Sequence, residues 1–355
     1  MTRPRNPSRP RRLSRLPRLP RLLAAIGIPL ALLCGLSIVP TTGVAGGAPL
    51  GSAQAPRAHA ASSYLTGIGD EQGEMFGNPL WQQLHTKIVR YIAPYDAVAH
   101  SYSLDRAKLW IREAEAHHQQ VLVAFYHSEY TPTRMPSVAQ YKHDVQKFVK
   151  LFPHVRQYQS WDEANRGNEP HQFSSPSAVA AAQYYQVLIR VCHGCTAIGL
   201  DVLDQANISS TLEYISEFKR EIGRLRTIMP KIWGLHDYSD INRLESWRTH
   251  ELVRAFGGQV WLTETGGIVQ FGGSFPNQHG SGLTRAARVL KYMFAVAGSS
   301  PQIKRLYIYD WTGCNASTRF DAGLTNAHDK PRPGYVVVCR ALHAAHCGNV
   351  KLARN

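Results

Sequence analysis

Residues 158–167 read YQSWDEANRG, and residues 259–267 read QVWLTETGG. In each, a run rich in aromatic or β-branched residues and containing a tryptophan breaks off at an acid. The first ends in Asp162 and Glu163 side by side, followed by Asn165; the second ends in Glu264. Neighbouring carboxylates at a strand end repel one another, and they become useful only when desolvated and countered by positive charge. Taken singly, each stretch is an ordinary corner in which an acid caps the next helix. Taken as a pair, they raise the question of whether one architecture carries both acids to the same place.

The spacing of the intervening chain answers it. Strand-like runs occupy 64–69, 87–92, 120–126, 155–161, 196–201, 231–236, 259–264 and 304–311, eight in all. Amphipathic runs lie between them at 78–85, 103–118, 137–151, 175–191, 208–227, 241–256 and 282–298, with a last one at 333–345. Strand and helix in strict alternation predict an α/β fold with a parallel sheet covered by helices. Eight such units predict a closed (β/α)8 TIM barrel. The rival, a doubly wound open sheet, lacks its phosphate fingerprint, because no GxGxxG follows the first strand. No linker rich in Gly, Pro or Ser and no internal repeat interrupts residues 61–355, so these form a single barrel domain.

In such barrels the chemistry sits at the C-terminal ends of the strands. Glu163 follows the fourth strand and Glu264 ends the seventh, 101 residues or three βα units later. The count therefore sets them across the barrel mouth from one another. Arg90 on the second strand, Tyr126 and His127 on the third, His236 and Tyr238 after the sixth, and Asp310 and Trp311 after the eighth complete the rim. Acids, an arginine, a histidine and aromatic rings suit a carbohydrate, since rings pack on the apolar faces of sugars while polar groups bind hydroxyls.

The first 60 residues carry nine arginines and no Lys, Asp or Glu, then an apolar run from Leu22 to Val39, then small residues ending in Ala58-His59-Ala60. That order reads as a secretory signal peptide over 1–60. An uncleaved membrane anchor is the alternative, because about 20 apolar residues span a bilayer. Setting the leader arginines aside leaves 31 Lys and Arg against 25 Asp and Glu, a formal charge of +6. The basic balance of the whole chain thus comes largely from the leader, and no basic cluster interleaved with aromatics argues for nucleic acid. Of the five cysteines beyond the leader, Cys192 with Cys195 and Cys339 with Cys347 are the local pairs expected to close in an oxidising compartment, leaving Cys314 over. A zinc reading of CHGC at 192–195 lacks a matching second pair.

At this point the sequence resembles a known group. WDEAN at 161–165 resembles the WNEPN signature of the clan A glycoside hydrolases, and WLTETG at 261–266 resembles their nucleophile-bearing strand end. Arg90, the HDY at 236–238 and the aromatic run of Tyr307, Tyr309 and Trp311 resemble the rest of their strand-end pattern. The resemblance implies a retaining mechanism with Glu163 as general acid/base and Glu264 as nucleophile. It also implies Arg90, Asp162, His236, Tyr238 and Trp311 as substrate-binding residues, with Arg90 and Tyr238 partners of an ionised Glu264. One position departs from the pattern: Asp162 stands where the family has an asparagine that contacts the sugar 2-hydroxyl. Ionised, it accepts but cannot donate a hydrogen bond, and it adds a third negative charge.

The expectation is therefore an exported retaining hydrolase of O-glycosidic bonds, monomeric, without metal or other cofactor, its partner a poly- or oligosaccharide. A catalytically weakened carbohydrate-binding barrel and an envelope transglycosylase are the alternatives. Contact with a membrane would come only through an uncleaved leader.

Overall fold

The computed structural model describes residues 63–167, 175–314 and 320–353. The leader expected over 1–60 lies outside the described residues. The strands follow in chain order as β1 (Leu65–Gly69), β2 (Ile88–Pro94), β3 (Gln120–Tyr126), β4 (Gln157–Gln159), β5 (Thr196–Ile198), β6 (Asp201–Leu203), β7 (Ile232–His236), β8 (Gln259–Thr265), β9 (Gln270–Phe271), β10 (Ile303–Tyr309) and β11 (Phe320–Asp321). Nine of them form one sheet in the order β5-β4-β3-β2-β1-β10-β8-β7-β6, every pairing parallel. β5 and β6 are two halves of the fifth barrel strand, parted at Gly199 and Leu200. The first half pairs with β4 and the second with β7, so the ring closes through this broken strand as a (β/α)8 barrel. Glycine is required at the break, where a Cβ on Gly199 would lie 2.0 Å from Pro230 Cγ.

The helices are α1 (Pro79–Gln82), α2 (Ser101–Ala116), α3 (Val138–Leu151), α4 (Ala178–Val191), α5 (Ile208–Arg224), α6 (Tyr238–Ile241), α7 (Trp247–Phe256), α8 (Ser281–Ala297) and α9 (Pro333–Ala341). Serines start two of them: Ser137 accepts from the Gln140 N–H and Ser177 from the Ala180 N–H, each satisfying a donor the first turn leaves open. The helix expected over 241–256 is split into α6 and α7. Its division is held by the Asp240 carboxylate, which accepts from the Thr249 N–H at 2.7 Å, the Thr249 hydroxyl at 3.0 Å and Arg248 at 2.9 Å.

Alternation along the strands sorts the two barrel faces. Val89, Tyr91, Val121, Val123, Phe125, Trp233 and Leu235 point outward and form one core with helix residues such as Trp110, Phe148 and Phe256. Inside, Ile88, Leu122, Ile198, Trp261 and Tyr307 make a separate apolar layer, and the Arg305 guanidinium lies 3.9 Å from the Trp261 ring. One step further toward the C-terminal ends, the inward positions turn polar: Arg90, Gln159, Asp201, His236 and Thr263 are all buried. Charges in such a place persist only when paired and hydrogen-bonded.

Both local disulfides, Cys192–Cys195 and Cys339–Cys347, are closed, and Cys314 belongs to neither. CHGC is thus a cross-link rather than a zinc knuckle. Among the described residues no helix is long and apolar enough to cross a membrane.

Candidate active site

The turn carrying Glu163 is built from the outside in. Trp161 faces the helix layer, its ring 5.4 Å from Tyr184 and 6.2 Å from Tyr95, which fixes the strand end just before the acids. Glu163 itself has φ +46°, a left-handed conformation that costs a non-glycine residue about 1–3 kcal/mol unless its surroundings over-determine it. They do so here. The Glu163 N–H donates to Asp201 Oδ2 at 3.2 Å, the Ala164 N–H to the Asp201 carbonyl at 2.9 Å, and the Arg166 N–H to the Glu163 carbonyl at 3.0 Å. Asn165 adds a two-way latch, donating to the Leu203 carbonyl at 3.0 Å and accepting from the Leu203 N–H at 2.8 Å.

Glu264 reaches the same space through an irregularity that strict alternation would not give. Val260 and Leu262 face the outer core while Trp261 faces the barrel, so Glu264 in even register would point at the helices. The register of β8 shifts against both neighbours: Leu235 pairs with Leu262 but His236 with Glu264, and Leu306 pairs with Leu262 but Ile308 with Thr265. One extra residue is accommodated in β8 on either side. Such a bulge re-aims the side chains that follow it, and Glu264 turns inward.

There it meets the groups expected around it. Arg90 Nη1 donates to Glu264 Oε2 at 2.8 Å and Tyr238 Oη to Glu264 Oε1 at 3.2 Å, while Arg90 Nη2 is paired with Asp162. Asp162 also accepts from Gln159 Nε2 at 3.2 Å. His236 stands in the middle. Its Nδ1 lies 3.1 Å from Glu163 Oε1 and 4.0 Å from Glu264 Oε2, and its Nε2 lies 3.0 Å from Asp201 Oδ2 and 3.8 Å from Asp162. Since one ring nitrogen neighbours both glutamates, their facing oxygens are no farther apart than those two distances laid end to end. That bound admits the separation of about 5–5.5 Å found between the carboxyl groups of retaining glycosidases.

Four carboxylates, Asp162, Glu163, Asp201 and Glu264, thus surround Arg90 and His236, with side chains at most 1 % exposed. Burial pushes Asp162 up to about 7 against the pull of Arg90 and His236. It also raises Glu264, opposed by His236 and Arg90. Asp201 goes the other way: burial pushes it up, but His236, Arg90 and the Thr263 hydroxyl outweigh that and hold it below the usual carboxylate range. His236 is held well above an ordinary histidine, since Asp201 and Glu264 overcome the burial that would discharge it.

Six of the expected residues therefore meet: Arg90, Asp162, Glu163, His236, Tyr238 and Glu264. Trp311 does not join them. It is fully buried, with its ring 5.9 Å from Tyr335 of α9 and nearly perpendicular to it, so it packs with the outer core. The strand has ended at Tyr309, and the inward parity of Arg305, Tyr307 and Tyr309 stops with it. Trp311→Ala is expected to cost about 3–5 kcal/mol of stability, lowering the melting temperature without changing sugar affinity, as calorimetry and binding on the folded variant will show. His236 has both ring nitrogens on carboxylates, which makes it an internal ion partner.

Sequence reasoning missed Asp201, the last residue of the strand-like run at 196–201, which gave no hint of the break that aims it inward. It also missed the antiparallel ribbon of β9 and β11, which joins the segments following β8 and β10. This ribbon sets Phe320 5.9 Å from Tyr238 and 5.9 Å from Phe271, both edge-on, giving an aromatic wall beside the partner of Glu264. The FGGSF at 271–275, two aromatics around paired glycines, was the available signal. Glu71, next to β1, accepts from Tyr309 Oη at 2.9 Å; burial, then the charges of Asp70 and Glu264, push it up to about 8.

The donor atoms of Asp162, His236 and Glu264 lie within 4.8 Å of one another, a spacing that would suit a metal ion. Arg90 already sits on both carboxylates and both His236 nitrogens face acids, so the cluster's own cations fill that role. A concavity of 580 Å³ lies elsewhere, between α2, the segment after β1 and Asp329. Its lining contains no aromatic ring and no arginine, and convergence of buried polar groups is the better marker of chemistry than volume.

No protein-family model matches the chain, and no curated protein is similar to it in sequence. Solved structures share its architecture. Xylanase 10B from Thermotoga maritima aligns over 79 % of this chain and 95 % of its own, with a TM-score of 0.55 and 14 % identity. A glucosidase from Croceicoccus marinus aligns over 80 % of this chain and 68 % of its own, with a TM-score of 0.59 and 11 % identity. GH5_18 from Streptomyces cattleya, in complex with GlcNAc, aligns over 83 % of both chains with a TM-score of 0.55 and 13 % identity. At such identities the likeness is one of fold, the (β/α)8 barrel.

Proposed function

We propose that the protein is a retaining glycoside hydrolase in which Glu264 attacks the anomeric carbon and Glu163 serves as general acid and then base. The observation that carries the proposal is the approach of both glutamates to one imidazole nitrogen, from opposite rims of the barrel. Arg90 and Tyr238 on Glu264 stabilise the anionic nucleophile. Asp162 shares Arg90 with Glu264, which offsets part of the surplus charge that its replacement of asparagine introduces. The enzymes of similar fold, a xylanase and a glucosidase among them, support a carbohydrate substrate. Two closed disulfides support export through the leader read from the sequence.

Glu163 is 0 % and Glu264 1 % exposed, so a sugar reaches them only as groups at the mouth shift. The full-length protein is to be screened against aryl glycosides and polysaccharides, with the anomeric form of the first product followed by proton NMR. Hydrolysis with retention is expected. Inversion would remove Glu264 as nucleophile, and sugar binding with no turnover on any glycoside would make the barrel a binding protein.

A further inference from the structure

The acid/base of a glycosidase must hold its proton on the oxygen that faces the substrate, and the surroundings of Glu163 distinguish its two oxygens. Oε1 lies 3.1 Å from His236 Nδ1. Oε2 is buried and without a hydrogen bond among the described residues, and the Arg166 guanidinium stands 3.8 Å from it. Behind His236 stands Asp201, which is itself tightly seated. Its Oδ2 faces His236 Nε2 at 3.0 Å and accepts the Glu163 N–H at 3.2 Å, while its Oδ1 accepts the Thr263 hydroxyl. Gly234 makes room for it: a Cβ there would lie 2.0 Å from Asp201 Oδ1. The chain gives up a side chain in the middle of β7 to admit a buried carboxylate against the imidazole.

We infer that Asp201 and His236 aim the catalytic proton: Asp201 keeps His236 doubly protonated, His236 Nδ1–H is donated to Glu163 Oε1, and Oε2 is thereby reserved to carry the proton to the substrate. The inference rests on the reading of Glu163 as acid/base. In the first half-reaction, the Oε2 proton passes to the glycosidic oxygen as the bond to the anomeric carbon breaks. That bond's electron pair stays with the departing oxygen, and a Glu264 oxygen bonds to the carbon. In the second half, water's oxygen bonds to the anomeric carbon, the pair of the broken ester bond returns to Glu264, and water's proton returns to Oε2. The imidazolium keeps both its protons throughout. Asp201 and His236 are positioning residues, since neither touches a reacting atom.

The charged groups facing the ring are consistent with this. Arg90 Nη2 from β2 lies 3.4 Å from Nε2 and is paired with Asp162, whose Oδ1 stands 3.8 Å from Nε2, beyond hydrogen-bond reach. Glu264 from β8 lies 4.0 Å from Nδ1. Asp237, next in the chain, is turned to the Thr265 hydroxyl, and Tyr238 presents its ring edge-on at 6.5 Å. Asp201 is the carboxylate on the Nε2 side whose charge no arginine is paired with, so removing it removes the ring's own counter-ion. A neutral His236 would then accept at Nδ1, drawing the Glu163 proton to Oε1 and away from the substrate.

The test compares the full-length wild type with Asp201→Asn on an alkyl glycoside, whose departure needs a proton, and on a dinitrophenyl glycoside, whose departure does not. The variant is expected to lose about 10²–10³-fold in kcat/KM on the first and to stay within about threefold on the second. The basic limb of its pH profile should move upward, because the nearer of the two lost charges is the positive one. Equal losses on both substrates with an unmoved limb would reduce Asp201 to a structural role and overturn the inference. Nitrogen-15 NMR of histidine-labelled wild type supplies a readout that needs neither the variant nor turnover. Both His236 ring nitrogens should be protonated at pH 7, and a neutral ring would overturn the inference. If the wild type hydrolyses no glycoside while His236 is doubly protonated, the glycosidase reading fails, and Asp201 still stands as the group that keeps the ring charged.

Discussion

Glu264→Ala is expected to lower glycoside hydrolysis on the order of 10⁴-fold, and millimolar azide to restore part of it. Among the described residues, no side chain hydrogen-bonded to Glu264 offers a second nucleophile. Arg90 and Tyr238 are donors to the carboxylate that would be lost, and Asp162 is occupied by Arg90. Truncation leaves a space into which a small anion fits, with Arg90 still present to hold it. Azide then attacks from the side Glu264 occupied, so the glycosyl azide formed must have the opposite anomeric configuration to the substrate. Full turnover by this variant, or an azide product of retained configuration, would defeat the assignment. A pH consequence follows in the wild type. Because burial raises Glu264 above an ordinary glutamate, the acid limb of activity lies above the usual glutamate range, and activity is lost as pH falls through it.

Glu163→Gln should give the complementary pattern. Without an acid, alkyl glycosides are expected to lose about 10²–10⁴-fold, whereas a dinitrophenyl glycoside still transfers its sugar to Glu264. Without a base, the second half-reaction then limits, so dinitrophenol should appear in a burst followed by slow turnover. Azide needs no base and should accelerate that slow phase, here giving a glycosyl azide of retained configuration. The two variants thus report opposite azide products from one substrate, and identical products would mean that the two glutamates have not been given their proper roles. Glutamine remains close in size to the residue it replaces and can still accept from His236, so loss of the turn at φ +46° is not the expected cause of any effect.

Much of this arrangement could be read from the chain because its logic is periodic. Alternating runs gave the barrel, and three units between Glu163 and Glu264 gave their facing positions. Arg90 and Tyr238 followed from the same counting of strand ends. What escaped were departures from period. The extra residue in β8 reverses the side on which Glu264 falls, and a sequence carries no mark of a bulge that a partner strand imposes. The break at Gly199 turns one strand into two and sets Asp201 inside, where a continuous strand ending at Asp201 had been expected. Trp311 is placed differently for a related reason: the strand read over 304–311 ends at Tyr309. The carboxylate behind His236 could not be read from strand counting, because it comes from that broken strand.

The two cross-links have a practical bearing on making the protein. One closes the short connection between α4 and β5, and the other ties α9 to the few residues that follow it. Neither staples one βα unit to another. Loops shorter than about 15 residues restrict the unfolded chain by less than about 3 kcal/mol each. The ring of strands is closed by backbone pairing and apolar packing alone, so the barrel should assemble in the reducing cytoplasm of an ordinary production host, with no oxidative refolding step.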